Sequence, residues 1–323
     1  MKAALQEVDI AFHDFHPPED DFYAEVIEGL KGSPPTISPK FFYDQQGSRL
    51  FDAICACHEY YPTRTESKIL RDRREAIAQH VGEGCVLIEP GAGSTEKVRL
   101  LLDALRPRTF IPMDISREHL RLAAQGLAED YPWLDVCAAC VDFTAPIPLP
   151  VDPDGARKVV FFPGSSIGNF EPQAAEDFLA QLRDMVGEQG GLIIGVDLKK
   201  DAEVLHAAYN DRLGITAAFN LNLLHRINRE LAADFDVTAF AHHAFYNDEL
   251  GRVEMHLRCQ RDTDVRIGGE TLRFARDSSI HTENSYKYHV EEFQQLAARA
   301  GFRPRDCWTD EDGLFSVHYF EAA

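Results

Sequence analysis

The sequence has no long apolar run, and its basic residues are far outnumbered by acidic ones. Its 323 residues include 33 lysines and arginines against 53 aspartates and glutamates, a formal net charge of −20. No apolar stretch approaches the roughly 20 residues that a membrane-spanning helix needs. Proteins that bind nucleic acids take much of their affinity from lysine and arginine at the phosphates. We therefore expect neither a membrane segment nor a nucleic-acid partner.

An apolar secretory signal is also missing. Residues 1–21 are acidic and lack an apolar core, so we expect a cytoplasmic protein whose seven cysteines are reduced. Cys137 and Cys140 have the spacing of a redox or metal motif, but residues three apart on a strand face opposite sides. His242 and His243 are adjacent in a strand-like stretch and face apart for the same reason. We predict no metal site.

Strand-like and helical stretches alternate from position 85 to position 196. Short apolar runs predict strands, and the amphipathic runs between them predict helices. The predicted strands are 85–89, 109–114, 136–140, 158–162 and 192–196, and the predicted helices are 95–105, 117–129 and 174–186. This alternation is typical of βαβ units with a parallel sheet. The expected fold class is α/β, with a doubly wound, Rossmann-like core.

The alternation stops after Asp197. The following segment reads as helices and then as antiparallel strands, before a helix and two strands return. We predict a core of residues 66–197 and 286–323, interrupted by an inserted α+β unit at 198–285. Residues 1–65 are expected to pack against this insertion and to form a substrate-binding domain with it.

The turn after the first predicted strand lacks the third glycine of a dinucleotide-binding site. It reads Glu-Pro-Gly-Ala-Gly from Glu89 to Gly93, and Glu96 stands where that third glycine belongs. An acid at the start of a helix would repel a pyrophosphate. A nicotinamide oxidoreductase stays an alternative, but the turn favours S-adenosylmethionine, a ligand without phosphate.

Acidic residues also end the next two predicted strands. At the end of the second strand, Asp114 suits two ribose hydroxyls, although Asp114 or Ser116 would equally cap the helix that follows. After the third strand, Asp142 suits an adenine amino group and Phe143 would cover the base; the alternative is a turn carboxylate beside a core ring. Open α/β sheets bind ligands at these strand ends, so the acids together favour an S-adenosylmethionine site.

The loop after the fourth strand, Pro-Gly-Ser-Ser-Ile-Gly-Asn at 163–169, is expected to face the methyl acceptor. It lacks the Asn/Asp-Pro-Pro-aromatic pattern that we associate with methylation of nucleobase amines. Together with the acidic net charge, this favours a small-molecule acceptor over DNA or RNA.

Several longer motifs, spread from about Pro39 to the C-terminus, are too specific to follow from composition. They are Phe42-Tyr43-Asp44, Glu59 to Glu66 (EYYPTRTE), Gly164 to Asn169 (GSSIGN), Tyr209 with Gly214 to Asn220, Asn228-Arg229-Glu230, and Thr282 to Ser285 (TENS). In these motifs the chain resembles the L-histidine Nα-methyltransferases of the ergothioneine pathway. The resemblance implies a class I methyltransferase core. It also implies stepwise transfer of three methyl groups from S-adenosylmethionine to the α-amine of histidine, giving the betaine hercynine.

The resemblance further implies roles for individual residues. Those implied to contact S-adenosylmethionine are Tyr43, Gly91, Lys97, Asp114, Asp142 and Phe143. Those implied to contact the substrate are Tyr60 at the amine, as the candidate catalytic residue, Asn169 and Tyr209 at the carboxylate, Glu283 and Ser285 at the imidazole, and Met255 nearby. Methyl transfer needs a neutral, well-oriented amine more than a strong base. Either Tyr60 or Asp44 would assist loss of the amine proton, and we expect a monomer without a metal cofactor.

Other interpretations of these residues stay open. Tyr60 and Tyr61 are also explicable as an interface pair between the N-terminal segment and the core, and Lys97 as a surface cation on a helix. A non-enzymatic module that only binds S-adenosylmethionine is a further alternative. The full set of acceptor residues, from Tyr60 to Glu283, argues against such a module.

Two positions depart from the family pattern. Pro90 in the glycine turn removes a backbone donor, and Asn284 replaces an apolar residue. The family also includes fungal enzymes that act on the amine of a prenylated tryptophan, so another aromatic amino acid is an alternative substrate. Glu283 favours histidine over the indole. It lies two positions from Ser285 on a predicted strand, so both side chains share a face. There the carboxylate would accept the N–H of one imidazole nitrogen, and the hydroxyl would donate to the other.

Overall fold

The computed structural model describes residues 10–15, 20–143, 149–150 and 155–323. Within these ranges the helices are α1 (Asp20–Lys31), α2 (Gln45–Cys55), α3 (Tyr61–Val81), α4 (Glu96–Leu105), α5 (Arg117–Asp130), α6 (Pro172–Val186), α7 (Ala202–Tyr209), α8 (Ile215–Leu231) and α9 (Val290–Arg299). The strands are β1 (Ala11–Asp14), β2 (Val86–Pro90), β3 (Thr109–Asp114), β4 (Asp135–Cys140), β5 (Lys158–Phe162), β6 (Gly191–Asp197), β7 (Phe240–Asn247), β8 (Arg252–Cys259), β9 (Thr263–Ile267), β10 (Glu270–Phe274), β11 (Ser279–Tyr286), β12 (Phe302–Thr309) and β13 (Phe315–Ala322). In this part of the chain, no helix combines the length and apolarity required to cross a bilayer.

One eight-stranded sheet forms the centre of the molecule, in the order β1-β4-β3-β2-β5-β6-β13-β12. The pairs among β1 to β6 are parallel, and β13 runs antiparallel between β6 and β12. The strand order reverses between β2 and β5, which is the switch point where sheets of this kind bind ligands. The predicted doubly wound, Rossmann-like α/β core is confirmed.

The central strands are apolar on both faces because helices cover both sides of the sheet. In β2, Leu87 joins the apolar cluster formed with α3 and α4, whereas its neighbour Ile88 joins the cluster formed with α6 and α9. Adjacent side chains alternate across a strand, so two consecutive apolar residues supply two cores. The carboxyl ends of β2 to β6 are thereby held rigidly along one edge.

The sheet has an edge strand that the sequence pattern did not indicate. β1 pairs in parallel with β4, from Ala11 beside Cys137 to Asp14 beside Cys140. Its four residues are too few to show strand periodicity. Residues 11–14 therefore lie in the core sheet, although the sequence analysis grouped 1–65 with the insertion.

The inserted segment contributes α7, α8, the antiparallel sheet β11-β8-β7 and the β9–β10 pair. A third apolar cluster fills this region and draws its residues from 26–61 and 205–280. Within it, Phe42 from the N-terminal segment stacks on Phe219 of α8, with ring centroids 4.4 Å apart. The division of the whole chain into a core and a substrate-binding domain stays a prediction.

Candidate active site

β2 ends at the glycine turn, where the backbone comes close to a neighbouring ring. Gly91 has a φ of 69°, and a Cβ at this position would lie 3.2 Å from the ring of Phe143. Beside the turn, the side chain of Glu89 is buried, and its Oε2 has no hydrogen-bond partner among the described residues. Burial raises the pKa of Glu89 well above its usual range. A buried, unpaired carboxyl oxygen fits a ligand that brings a polar hydrogen, as S-adenosylmethionine does with its amino group.

Asp114 joins the glycine turn to the helix that follows β3. One carboxylate oxygen accepts a hydrogen bond from the backbone N–H of Gly93 at 2.9 Å, and the other from that of Ser116 at 2.8 Å. A carboxylate has about four acceptor directions, so this one can still receive a ribose hydroxyl. The loop-fixing role and the predicted ligand role are therefore compatible.

Asp142 and Phe143 lie at the same edge, after β4. The ammonium of Lys40 lies 3.0 Å from Asp142 and 2.8 Å from Glu25, so a cation of the N-terminal segment reaches across the end of β4. Phe143 meets Phe162 edge to face, with centroids 5.9 Å apart. The sequence analysis did not identify Lys40, because its partners are distant in the chain.

Lys97 belongs to a buried ion pair. Its Nζ lies 2.6 Å from Glu66, whose side chain is 1% exposed. The Glu66 carboxylate also accepts the backbone N–H of Gly164 at 2.9 Å. Burial lowers the pKa of Lys97, but the pairing with Glu66 outweighs it and gives a net rise. One carboxylate thus joins α3, α4 and the loop after β5.

A cleft with an empty volume of about 410 Å³ lies between the core sheet and the inserted segment. Its lining residues are Tyr43, Phe51, Tyr60, Pro62, Gly164, Ser165, Ser166, Asn169, Asp197, Tyr209, Glu283, Ser285 and Lys287. The structure therefore brings together five of the six residues expected at the substrate, with Tyr43 from the cofactor set. Met255 is the exception, since it is buried in the core of the insertion and pairs with Glu283 between β8 and β11.

The loop after β5 brings Asn169 to the cleft. Gly164 and Ser165 both have positive φ angles, of 86° and 59°, which turn the chain sharply after the strand. Gly168 then packs on β11, where a Cβ would lie 2.7 Å from the carbonyl oxygen of Tyr286. This close approach places the Asn169 loop directly beside β11, and Asn169, Glu283 and Ser285 line the same cleft.

Tyr60 and Tyr61 stand at the start of α3 and point to different partners. Pro62 occupies the first turn, where its fixed φ suits a helix start. The Tyr61 hydroxyl donates to the buried carboxylate of Asp197 at 2.8 Å. Tyr60 lines the cleft, with its ring centroid 6.4 Å from that of Tyr209. Burial raises the pKa of Tyr60 well above its usual range, so the phenol keeps its proton.

Aromatic rings form one wall of the cleft. Phe51 of α2 lies between Tyr43 and Tyr60, at centroid distances of 5.8 and 6.4 Å. Burial, followed by the charges of Glu283 and Asp114, raises the pKa of Tyr43. Tyr43 is therefore exposed to the charges of both the carboxylate expected at the cofactor and the one expected at the substrate.

Glu283 and Ser285 both face the cleft from β11, as their spacing predicted. Asn284 points to the other side and donates to Glu171 at 2.9 Å, so this departure from the family pattern does not alter the cleft lining. Burial raises the pKa of Glu283 to about 7, against the opposing charge of Lys287. Lys287 continues the same alternation, a signal that the sequence analysis missed.

Asp44 has a structural role in this arrangement. Its carboxylate caps α2 by accepting from the backbone N–H of Gly47 at 2.7 Å, and it also accepts from Asn222 at 2.8 Å and Arg229 at 2.6 Å. A carboxylate with three donors, and not among the lining residues of the cleft, is poorly placed to accept an amine proton. Of the two candidates for that role, Tyr60 alone lines the cleft.

A second polar cluster lies away from the cleft, on the inserted sheet. Ligand-type atoms of Glu254, His256 and His281 lie within 4.8 Å of one another. The two imidazole rings are stacked with centroids 4.6 Å apart and an interplanar angle of 15°. Because the nitrogen lone pairs lie in the ring planes, nearly parallel rings do not direct them at one ion. Glu254 is also engaged by Arg252 at 2.9 Å.

Comparison with known proteins gives a consistent result. A family model described as "Histidine-specific methyltransferase, SAM-dependent" matches residues 22–322. The chain is 42% identical to a histidine N-alpha-methyltransferase of Mycolicibacterium smegmatis, over 91% of this chain and 92% of that protein. It is 40% identical to the Mycobacterium tuberculosis protein of the same name, with the same coverage. It is also 32% identical to ergothioneine biosynthesis protein 1 of Neurospora crassa, over 88% of this chain and 33% of that longer protein.

Proposed function

The chain belongs to the family of histidine-specific, S-adenosylmethionine-dependent methyltransferases, and we propose that it trimethylates the α-amine of L-histidine to hercynine, a step of ergothioneine biosynthesis. One observation carries the proposal: the cleft beside the glycine-turn edge is lined by Glu283 and Ser285, which have opposite hydrogen-bonding capacities. An ionised carboxylate only accepts, whereas a hydroxyl also donates. Together they suit a neutral imidazole, which has one donor and one acceptor nitrogen.

The other end of the substrate is proposed to bind between core and insertion. Asn169 lies on the loop after β5, and Tyr209 ends α7 of the insertion. The Asn169 amide carries N–H donors that suit a carboxylate. The Tyr209 hydroxyl donates its one proton to Ser285, so Tyr209 is proposed to border the carboxylate without donating to it. A substrate held this way joins the two parts of the molecule through its own carboxylate.

The amine is proposed to lie near Tyr60 and the aromatic wall. When bound, S-adenosylmethionine would supply a methyl group on its sulfonium. The neutral amine would bond to the methyl carbon as the carbon–sulfur bond breaks, with the thioether S-adenosylhomocysteine as the leaving group. Orientation of the amine is worth up to ~7–11 kcal/mol in well-aligned systems. Each well-placed ring, such as Tyr43 or Phe51, adds roughly 0.5–2 kcal/mol at a positive charge. Because a protonated phenol does not hold the nitrogen as a fixed ion pair would, the methylated ammonium can lose a proton to water and so expose the lone pair for the next methylation.

The cofactor contacts are proposed as Tyr43, Gly91, Lys97, Asp114, Asp142 and Phe143. Of these, Asp114 has free acceptor directions for the ribose, and Gly91 leaves space beside Phe143. Lys97 contributes through its pairing with Glu66. We also propose a cytoplasmic monomer that needs no metal and binds no nucleic acid, which light scattering and activity after chelator treatment will test.

The test is incubation with S-adenosylmethionine and each of the twenty amino acids in turn, followed by mass spectrometry. We expect histidine to gain three methyl groups and phenylalanine and leucine to gain none. The alternative, another aromatic amino acid such as a tryptophan derivative, predicts preferential methylation of the indole compound. Preference for such a compound over histidine would replace the proposed substrate.

A further inference from the structure

Lys287 is a buried cation at the base of the cleft whose hydrogen bonds are all defined. Its side chain is 1% exposed, and its ammonium lies 2.8 Å from Asp197, 2.7 Å from Ser285 and 3.0 Å from the Tyr209 hydroxyl. An ammonium has three protons and no lone pair. Three acceptors therefore use its full capacity, and none of its partners can donate to it.

The Lys287 contacts and the hydrogen bond between the two hydroxyls together set the proton arrangement of Ser285 and Tyr209. Ser285 and Tyr209 each accept from Lys287, and the Tyr209 hydroxyl also donates to Ser285 at 2.8 Å. A serine oxygen has two lone pairs and one proton. With both lone pairs filled, Ser285 can offer a ligand only its proton.

Asp197 anchors the cation. Its carboxylate accepts from Tyr61 at 2.8 Å and from Lys200 at 2.6 Å, besides Lys287. Burial disfavours the ionised form of Asp197, but the charges of Lys287 and Lys200 outweigh it and lower its pKa. Lys287 thus sits in a rigid, hydrogen-bonded setting and cannot rotate toward solvent without leaving a buried carboxylate with one cation fewer.

We propose that Lys287 is a specificity-determining positioning residue, which makes Ser285 a donor and keeps Glu283 an acceptor, so that the cleft reads a neutral imidazole. The inference rests on the proposed histidine substrate and adds to it the residue that enforces the choice. The ammonium acts through Ser285 and Tyr209 and by its charge on Glu283, which counters the effect of burial. The other titratable groups facing Glu283 are Tyr43, Tyr60 and Tyr209, and burial keeps these phenols protonated.

The test compares Lys287→Met with Lys200→Met, which removes the other cation paired with Asp197 but touches neither Ser285 nor Tyr209. For Lys287→Met we expect the histidine KM to rise about tenfold to a hundredfold, with kcat within about threefold of wild type. The histidine-to-tryptophan ratio in kcat/KM should fall about tenfold, because Ser285 is no longer forced to donate. For Lys200→Met this ratio should stay unchanged.

A pH series separates the proposal from a purely structural role. Without the cation, Glu283 ionises at higher pH. The pH at which histidine affinity rises should therefore be higher in Lys287→Met than in wild type, and Lys287→Arg should restore the wild-type value. An unchanged ratio and pH series in a Lys287→Met protein that still binds S-adenosylmethionine normally would overturn the proposal. If Lys287→Met does not fold, Lys287→Arg and Lys287→Gln provide the same comparison. The proposal then predicts a wild-type histidine KM for Lys287→Arg and a raised histidine KM for Lys287→Gln. Absence of histidine methylation by the wild-type protein would instead refute the proposed function.

Discussion

The ammonium of Lys97 lies 2.6 Å from the carboxylate of Glu66, at the point where three segments of the core meet. Glu66 also accepts the backbone N–H of Gly164, and a Cβ on Gly195 of β6 would lie 1.9 Å from its Oε1. The carboxylate therefore fills a space that β6 leaves open. Gly164 belongs to the loop after β5, which leads to Asn169. The ion pair of Lys97 and Glu66 therefore helps to fix the edge of the cleft.

We expect Glu66→Ala to lower the free energy of unfolding by about 3 kcal/mol, because it leaves the cation of Lys97 without its buried partner. The matched control is Glu75→Ala on the same helix, whose side chain is 74% exposed and pairs only at the surface with Arg74. Exposed pairs contribute about 0–1 kcal/mol. Urea unfolding measures both, and equal effects of the two variants would show that the buried pair has no special role.

Gly195→Ala should destabilise the protein by about 1–3 kcal/mol, because the new Cβ meets the fixed Glu66 carboxylate. Gly126→Ala is the opposite case: this glycine lies in α5 and has no heavy atom within 4 Å of a Cβ. Alanine there should raise stability by about 0.4–1 kcal/mol. Thermal unfolding of the two variants should therefore shift in opposite directions, and a neutral Gly195→Ala would mean that Glu66 can move away freely.

Asp114→Ala should weaken S-adenosylmethionine binding by one to two decades, since charge-assisted hydrogen bonds contribute ~1.5–3 kcal/mol. The comparison variant is Asp130→Ala, an exposed carboxylate that ends α5 and pairs with Arg99. Calorimetry on both proteins gives the difference. Unchanged affinity in a folded Asp114→Ala protein would remove this residue from the cofactor site.

Histamine, which lacks the carboxylate, should be a poorer substrate than histidine by about two decades or more in kcat/KM, because the Asn169 amide would be left unpaired. Asn169→Ala should slow the reaction of histidine by about tenfold but have little effect on histamine. Measuring kcat/KM for histidine and histamine with both the wild-type protein and Asn169→Ala gives a complete double-mutant-type cycle. Histamine turnover near that of histidine would contradict the proposed binding of the carboxylate.

Glu283 should make histidine binding pH-dependent. Its pKa is raised to about 7 by burial, and its ionised form accepts the imidazole N–H more strongly than its protonated form, so affinity should increase as pH rises through this value. Glu283→Gln should abolish this increase while leaving the titrations of the substrate itself in place. The stability of the ligand-free protein should change in the opposite sense. A folded pKa above the ordinary 4.5 makes Glu283 increasingly destabilising as pH rises from that value to about 7.

Calorimetry across this pH range tests the predicted rise in histidine affinity, and urea unfolding tests the predicted fall in the stability of the ligand-free protein. Glu283→Ala should also narrow the preference for histidine over tryptophan, because the charge that indole leaves unpaired is gone. An unchanged histidine-to-tryptophan ratio would show that Glu283 does not read the ring. Its charge beside Lys287, which lines the same cleft, would then have a structural role only.

The sequence by itself determined the core architecture and the ends of its strands. Consecutive apolar residues such as Leu87 and Ile88 fit a strand buried on both faces, and the missing third glycine at Glu96 argued against the usual dinucleotide turn. The spacing of Glu283 and Ser285 placed both on one face because side chains alternate along any strand. These sequence patterns are local, so they can be recognised without knowledge of how the rest of the chain folds.

Tertiary structure alone decided which distant charges meet. The partners of Lys287 are 2 to 90 positions away along the chain, at Ser285, Tyr209 and Asp197, and no periodicity links them. The same holds for Lys40, which reaches Asp142 from the N-terminal segment. Buried ions require partners in three dimensions because desolvation is costly, and only the folded chain shows which carboxylate or hydroxyl supplies them.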